Sequence, residues 1–198
     1  MEAARRTRDE DRQLVAAVLA NQPRAFEQLV AAHQTLVWHV VHRMVGDAED
    51  TRELSQEVFL RVFRRLAQFR FDAALATWIG HVAFSVAARH LRRRRLPMLD
   101  PHAAPIAADG PCLLDALPDA LDLEREVADA ELQAHLAAAI DALPPLLRTI
   151  ITLFHLDELG IPEIAAITDL PAGTIKSHLF RTRRHLRQRL LYLTGDLP

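Results

Sequence analysis

A chain of 198 residues, half of them hydrophobic and with a formal net charge of −2, is long enough for one large or two small cores and is not a bulk polycation. It has no apolar run near the roughly 18 residues of a membrane span, and its start, MEAARRTRDEDRQ, lacks the apolar stretch of a signal peptide. Cys112 is the only cysteine, which excludes an internal disulfide, so the expectation is a cytoplasmic protein without membrane insertion.

Six glycines, eleven prolines gathered mainly between helical stretches, and abundant Ala, Leu and Arg without β-type alternation predict an all-α fold. The first helix is expected from about Asp11 to Ala20, capped by Asp11 and closed by Asn21-Gln22-Pro23. Pro23 then opens a long helix with Phe26, Leu29, Val30, Val37, Val40, Val41 and Met44 inward, ended by Gly46. Asp47 caps a third helix whose inward residues are Leu54, Val58, Val62, Leu66 and Phe69. After a connection over Arg70 to Ala76, a fourth helix turns Trp78, Val82, Val86 and Leu91 inward. It ends in an arginine block, where cations suit a helix C-terminus, and Pro97 stops it.

From residue 97 to about 123, Pro97, Pro101, Pro105, Pro111 and Pro118 alternate with scattered acids and no period holds, which reads as a linker. Helical spacing returns through Leu123, Val127, Leu132, Leu136, Ile140 and Leu143, is broken at Pro144-Pro145, and resumes in a short helix through Ile150, Ile151 and Phe154. Charge is segregated along this path. Arg89 and Arg92 to Arg95 form one basic block, and Lys176, Arg181, Arg183, Arg184, Arg187 and Arg189 a second. The acids between Asp100 and Glu131 face only Arg125.

Residues 158–185 read as a helix-turn-helix. Gly160 serves as N-cap and Pro162 sits in the first turn, where its missing N–H is harmless. Ile164, Ala165 and Ile167 form an inner face. Thr168 to Pro171 make the turn, with Asp169 able to accept a left-handed backbone. Ile175, Leu179, Leu186 and Leu190 face inward, leaving Thr174, Lys176, Ser177, His178 and Arg181 outside, a set able to meet phosphates and base edges. A basic amphipathic helix is also often only a solvated face, so this segment alone leaves DNA binding and a plain bundle equally open.

Three motifs in order narrow the reading. Asp50 to Phe59, DTRELSQEVF, resembles the D-A-E-D-L-V-Q-E-V-F helix of bacterial extracytoplasmic-function (ECF) sigma factors. Thr77-Trp78-Ile79 with Ala83 and Leu91 to Arg95 is similar to their T-W-L…A…L-R-R-R segment. Leu143-Pro144 through Arg183 resembles their L-P…E-I-A…P-x-G-T-x-K-S-x-L-x-R-x-R region. The likeness covers about residues 10–96 and 124–191. It implies two small helical domains: sigma region two over 10–96 and sigma region four over 124–193, joined by a flexible acidic linker over 97–123.

The resemblance further implies a dissociable initiation subunit whose partners are core RNA polymerase (its largest and second-largest subunits), promoter DNA and an anti-sigma factor. It assigns polymerase docking to Asp50, Glu53, Gln56, Glu57 and Arg61. It assigns the −10 element to the loop Arg70, Phe71, Asp72, Ala73 and Ala74, backed by Thr77, Trp78, His81, Phe84 and Ser85, with Arg92 and Arg93 on the DNA backbone. Unstacked bases need stacking surfaces and phosphates need cations. Trp78, at an inward position, reads as a core anchor before a base platform. The −35 element falls to Thr174, Lys176, Ser177, His178, Phe180 and Arg181, with Arg183 and Arg184 on phosphates.

Departures from the family pattern bear on −10 preference and melting. Ala74 and Leu75 stand where a small polar residue and an aromatic are usual, Phe84 and Ser85 where Arg and Asn are common, and Arg89 where an acid is frequent. His178 replaces a common Arg, which leaves that charged contact pH-dependent or absent, and Asp169 replaces Gly or Asn. His39 and His42 share a helix face, but no neighbouring Cys or carboxylate completes a metal set. Neither Cys112 nor Ser85 has an activating base, so no enzyme activity and no cofactor are expected. The competing reading is a stand-alone helix-turn-helix regulator that uses its first half to oligomerise.

Overall fold

The computed structural model describes residues 7–94 and 130–194. Among these are eight α-helices and no strand: α1 (Arg8–Leu19), α2 (Ala25–Val45), α3 (Ala48–Arg65), α4 (Leu75–Arg93), α5 (Ala130–Asp141), α6 (Pro145–His155), α7 (Ile161–Thr168) and α8 (Ala172–Thr194), with a 3-10 turn at Leu66–Gln68. The acidic linker, the expected helical start around Leu123 and Val127, and Cys112 lie outside the described residues.

Local chemistry sets most boundaries. Gly46 ends α2 in the left-handed conformation (φ 81°), a position that a Cβ would strain. Asp47 then caps α3, its carboxylate accepting from the backbone N–H of Glu49 and Asp50 at 2.9 and 2.8 Å. Two expectations need correction. α1 begins one turn before Asp11, because Thr7 and Glu10 form a reciprocal capping box. α2 begins at Ala25, because Arg24 adopts a left-handed backbone (φ 62°) that holds Pro23 outside the helix.

α2 lies at the centre, against α3, α4 and α6. Leu29, Val37, Val40, Val41 and Met44 are fully buried on it, facing Leu54, Val58 and Val62 of α3 and Ile79, Ala83, Val86 and Leu91 of α4. Each such aliphatic side chain contributes about 1.5–3 kcal/mol by leaving water. The second half builds its own core from Leu146, Ile150 and Leu153 of α6, Ile164 and Ile167 of α7, and Ile175, Leu179 and Leu186 of α8.

The halves are docked on each other, α6 on α2 and α7 on α4. Gly80 makes the second contact possible: a Cβ there would lie 2.9 Å from Ile167 Cδ1, so only a bare backbone admits this isoleucine. Polar contacts surround the seam. His39 Nδ1 meets Asp157 Oδ1 at 2.8 Å, Arg43 Nη1 donates to Asp141 Oδ1 at 2.8 Å, and Arg148 Nε donates to the Arg43 carbonyl at 2.7 Å. Burial lowers the pKa of Arg148, an effect that Asp141 opposes.

Candidate nucleic-acid interface

The loop between the 3-10 turn and α4 carries three aromatic rings. Phe69 is buried and stands 4.6 Å from Phe71 and 5.2 Å from Trp78, centroid to centroid. Phe71 is left-handed (φ 61°), which is uncommon for a bulky side chain. Beside this cluster opens a cavity of about 320 Å³ lined by Arg70, Asp72, Ala73, Thr77, Trp78 and His81, with Ala166 of α7 on its border. The His81 Nδ1–H donates to the Ile167 carbonyl at 3.3 Å, which closes that side. Flat apolar surface next to Arg and Asp suits an unstacked base.

Not every expected residue reaches the cavity. Trp78 is half-buried and lines it, so it is less inward than its helical position implied. Thr77 is buried but contributes to the wall, while Phe84 is 8% exposed and belongs to the core. The reason is that α4 is covered on three sides, by α2, α3 and α7, which leaves a narrow outer strip. Phe84 therefore presents almost no surface to a DNA strand, contrary to its expected contact role. Ser85, Arg89, Arg92 and Arg93 are exposed and follow that strip to the end of α4.

On α3, Glu53, Gln56 and Glu57 are exposed on one stripe, and Arg61 pairs with Glu57 one turn on. Asp50 departs from this stripe. Its carboxylate takes Arg94 at 2.6 and 3.3 Å and lies 3.6 Å from His90 Nε2, tying the first turn of α3 to the last turn of α4. Sequence reading passed over Leu60 and Phe63, which are 55% and 49% exposed on the same outward side as Glu53 and Glu57. Phe63 makes an edge contact with Phe26 at 5.0 Å. Apolar residues at positions where the helical period demands polar ones were the available signal, and such a patch ringed by charge has the make-up of an interface.

The helix-turn-helix follows its sequence closely. Glu163 accepts from the Gly160 N–H at 2.8 Å, and Asp169 is left-handed (φ 59°) at the turn. On α8, Lys176, Arg181 and Arg184 are exposed, while Thr174, Ser177, His178 and Phe180 are half-buried. Burial and then the Arg181 charge lower the pKa of His178, so it presents a neutral imidazole at neutral pH. Arg183 turns away from this face. Its guanidinium sits 4.9 Å over the Phe154 ring, and Nε donates to His155 Nε2 at 3.2 Å. His155 is correspondingly held below its ordinary pKa, by burial first and by Arg183 second.

His39 and His42, the residues weighed for a shared metal, have separate partners: Asp157 for the first and Thr51 Oγ1, at 3.2 Å, for the second. Among the described residues no cluster of His, Cys, Asp and Glu could hold a metal ion, and no helix is long and apolar enough to cross a membrane.

Fold and surface together define a two-part helical protein with an open, aromatic-edged cavity on one part and a helix-turn-helix on the other. Residues 29–96 match the family model for sigma-70 region 2, and residues 134–186 match that for sigma-70 region 4. The chain is 33% identical to the RNA polymerase sigma-H factor of Pseudomonas aeruginosa, over 93% of its length and 95% of the relative's. It is 37% identical to the ECF RNA polymerase sigma-E factor of Escherichia coli, over 87% and 90%. The chain belongs to the ECF sigma factors of the sigma-70 family and functions as an RNA polymerase sigma factor.

Solved structures share the fold. CnrH in complex with the cytosolic domain of CnrY aligns with a TM-score of 0.62 at 22% identity, over 94% of this chain and 99% of that one. The sigma factor RpoE of Bartonella quintana, in complex with the anti-sigma factor NepR, aligns at 0.59 and 18% identity, over 84% and 97%.

Proposed function

We propose that this sigma factor reads promoters in two parts, with residues 10–96 serving the polymerase and the −10 element and residues 124–193 serving the −35 element. The outward stripe of α3, with Glu53, Gln56 and Glu57 flanking Leu60 and Phe63, docks on core polymerase. The cavity at Arg70, Asp72, Trp78 and His81 takes an unstacked base of the opened strand, and Arg89, Arg92 and Arg93 follow its phosphates. Lys176, Ser177, Arg181 and Arg184 meet the −35 duplex, with His178 as a neutral hydrogen-bonding group. Work on polymerase and chromosome makes the protein cytoplasmic. It contributes binding and positioning, with no catalysis and no cofactor of its own. The similar RpoE carries the anti-sigma factor NepR, and a comparable inhibitor here would cover the docking stripe.

The observation that carries this reading is the exposed apolar pair Leu60 and Phe63 beside the acids of α3. A stand-alone regulator would use that face only to oligomerise, so association with core polymerase is what separates the two readings. In vitro transcription with purified core polymerase tests the proposal. Initiation at discrete starts that requires this chain, and that is lost with Leu60→Asp and Phe63→Asp, supports it. Tight duplex binding by the free chain without any association with core would return the stand-alone regulator.

A further inference from the structure

One face of α1 is turned onto the recognition loop. Arg8, Asp11 and Arg12 are spaced three and four residues apart, so they share that face. Arg8 Nη2 donates to the Phe71 carbonyl at 2.9 Å, and the Arg12 guanidinium lies 5.8 Å from the centroid of the Phe71 ring. Asp11 is 4% exposed, and its Oδ2 accepts the backbone N–H of Leu75, the first residue of α4, at 3.2 Å.

Each contact answers a need that the loop cannot meet itself. The N-cap of α4 is Ala74, whose methyl side chain offers no acceptor for the N–H groups of the first turn. A carboxylate from another helix supplies that acceptor and also suits the positive end of the α4 dipole. Phe71 holds a left-handed backbone that its own side chain disfavours, and such conformations persist only when surrounding contacts fix them. Arg8 and Arg12 grip its carbonyl and its ring. The Thr7–Glu10 capping box orders the turn of α1 from which Arg8 projects.

We propose that α1 is a positioning element of −10 recognition: Asp11 sets the start of α4, and Arg8 with Arg12 sets Phe71, so together they fix the geometry of the base-accepting cavity. This rests on the reading of that cavity given above. The three residues act through the loop and are positioning residues, not contact residues. A buried carboxylate directed at the start of another helix is explained by this role, since Leu14, Val15 and Val18 already anchor α1 to the core.

The test uses full-length protein bound to core polymerase and a fork-junction DNA whose single-stranded arm is a randomised pool of about six nucleotides. Captured arms are sequenced, and core affinity and helix content are measured alongside. The wild type enriches particular bases. Arg8→Ala with Arg12→Ala, both at surface positions, is expected to flatten that enrichment at least tenfold while core affinity and helix content stay at wild-type values. Asp11→Ala should do the same, and Asp11→Asn, which keeps an oxygen acceptor for the Leu75 N–H, should restore most of the preference. A merely structural role for α1 would lower melting temperature without changing which bases are selected. Should Asp11→Ala fail to fold, the arginine pair decides. Unchanged enrichment in the arginine pair, with enrichment lost in Phe71→Ala and Arg70→Ala, overturns the positioning role and leaves the cavity reading standing. Unchanged enrichment in the loop variants too overturns both.

Discussion

Docking of the two halves makes a quantitative demand on Gly80. Elements centred at −35 and −10 are about 25 base pairs apart, roughly 85 Å at 3.4 Å per pair, whereas a compact body of this size has a radius of gyration near 15 Å. On the proposed two-part reading, both elements can be touched together only after α7 leaves α4. Gly80→Leu perturbs that step. Its Cβ would stand 2.9 and 3.0 Å from Ile167 Cδ1 and Cγ1, and Ile167 is fully buried. Overpacking of this kind costs about 1–3 kcal/mol. The gain in helix propensity from removing a mid-helix glycine, roughly 0.8 kcal/mol, applies equally to docked and undocked chains and cancels in the docking equilibrium. Docking should therefore weaken about 5- to 150-fold, and the apparent promoter affinity of the holoenzyme should rise by up to that factor where the docked state dominates. Single-molecule energy transfer between dyes on α3 and α8, in a Cys112→Ser background, reads the undocked fraction directly. A double-mutant cycle checks the cause: Ile167→Val removes the clashing Cδ1 and should relieve Gly80→Ala by about 0.5–3 kcal/mol of coupling. An unchanged dye-distance distribution in Gly80→Leu would refute the argument.

Other expectations follow from single residues. Arg181→Ala should weaken −35 binding by about 1–3 kcal/mol if its guanidinium reads a base edge; a holoenzyme footprint of undiminished affinity denies it that role. Glu53→Lys with Glu57→Lys should cost core binding about 1–2 kcal/mol, from exposed attractions lost and like charges set together, at constant helix content. Titration by calorimetry or anisotropy measures it, and wild-type affinity for core would remove the docking assignment. His155 and His178 are both held below the ordinary value of 6.5 by burial. The unfolded chain then takes up protons more readily, so their contribution is complete above that value and is lost as pH falls below it. Melting temperature should drop from pH 7.5 towards 5.5, and the slope should flatten in His155→Gln with His178→Gln; an equal slope in both proteins rejects the assignment. Gly46→Ala should destabilise the fold by about 1 kcal/mol or more, by backbone strain alone, since the nearest atoms to a Cβ there are 3.8 Å away. A melt indistinguishable from wild type would show that φ at this position relaxes.

Features whose cause lies within one turn of chain were readable from sequence. The inner faces of α2 and α3, from Val37 to Met44 and from Leu54 to Val62, are buried as their period required. Gly46, Asp47, Gly160 and Asp169 each mark the boundary that their backbone or side-chain chemistry favours. Phe84 and Trp78 mark the limit of what helical period dictates. Period assigns a residue to a face, but the width of the buried face depends on how many neighbours arrive. α4 receives α2, α3 and α7, so Phe84 is enclosed, while Trp78, one turn from the helix start, borders an open cavity.

Acids expose the same limit more sharply, because a carboxylate near a helix start has a local use that hides any distant one. Asp50 fits the docking stripe by spacing, yet its oxygens go to Arg94, 44 residues on. Asp11 fits an N-cap by composition, yet Thr7 already fills that role, and the carboxylate reaches 64 residues to Leu75. For Asp11 a signal was present. Thr7-x-x-Glu10 is a complete capping box, which leaves Asp11 surplus to α1, and Ala74 is a helix start with no cap of its own. A surplus acceptor and an uncapped helix in one small domain are complementary deficits. Pairing them from sequence required only that each helix end be asked where its N–H groups are satisfied.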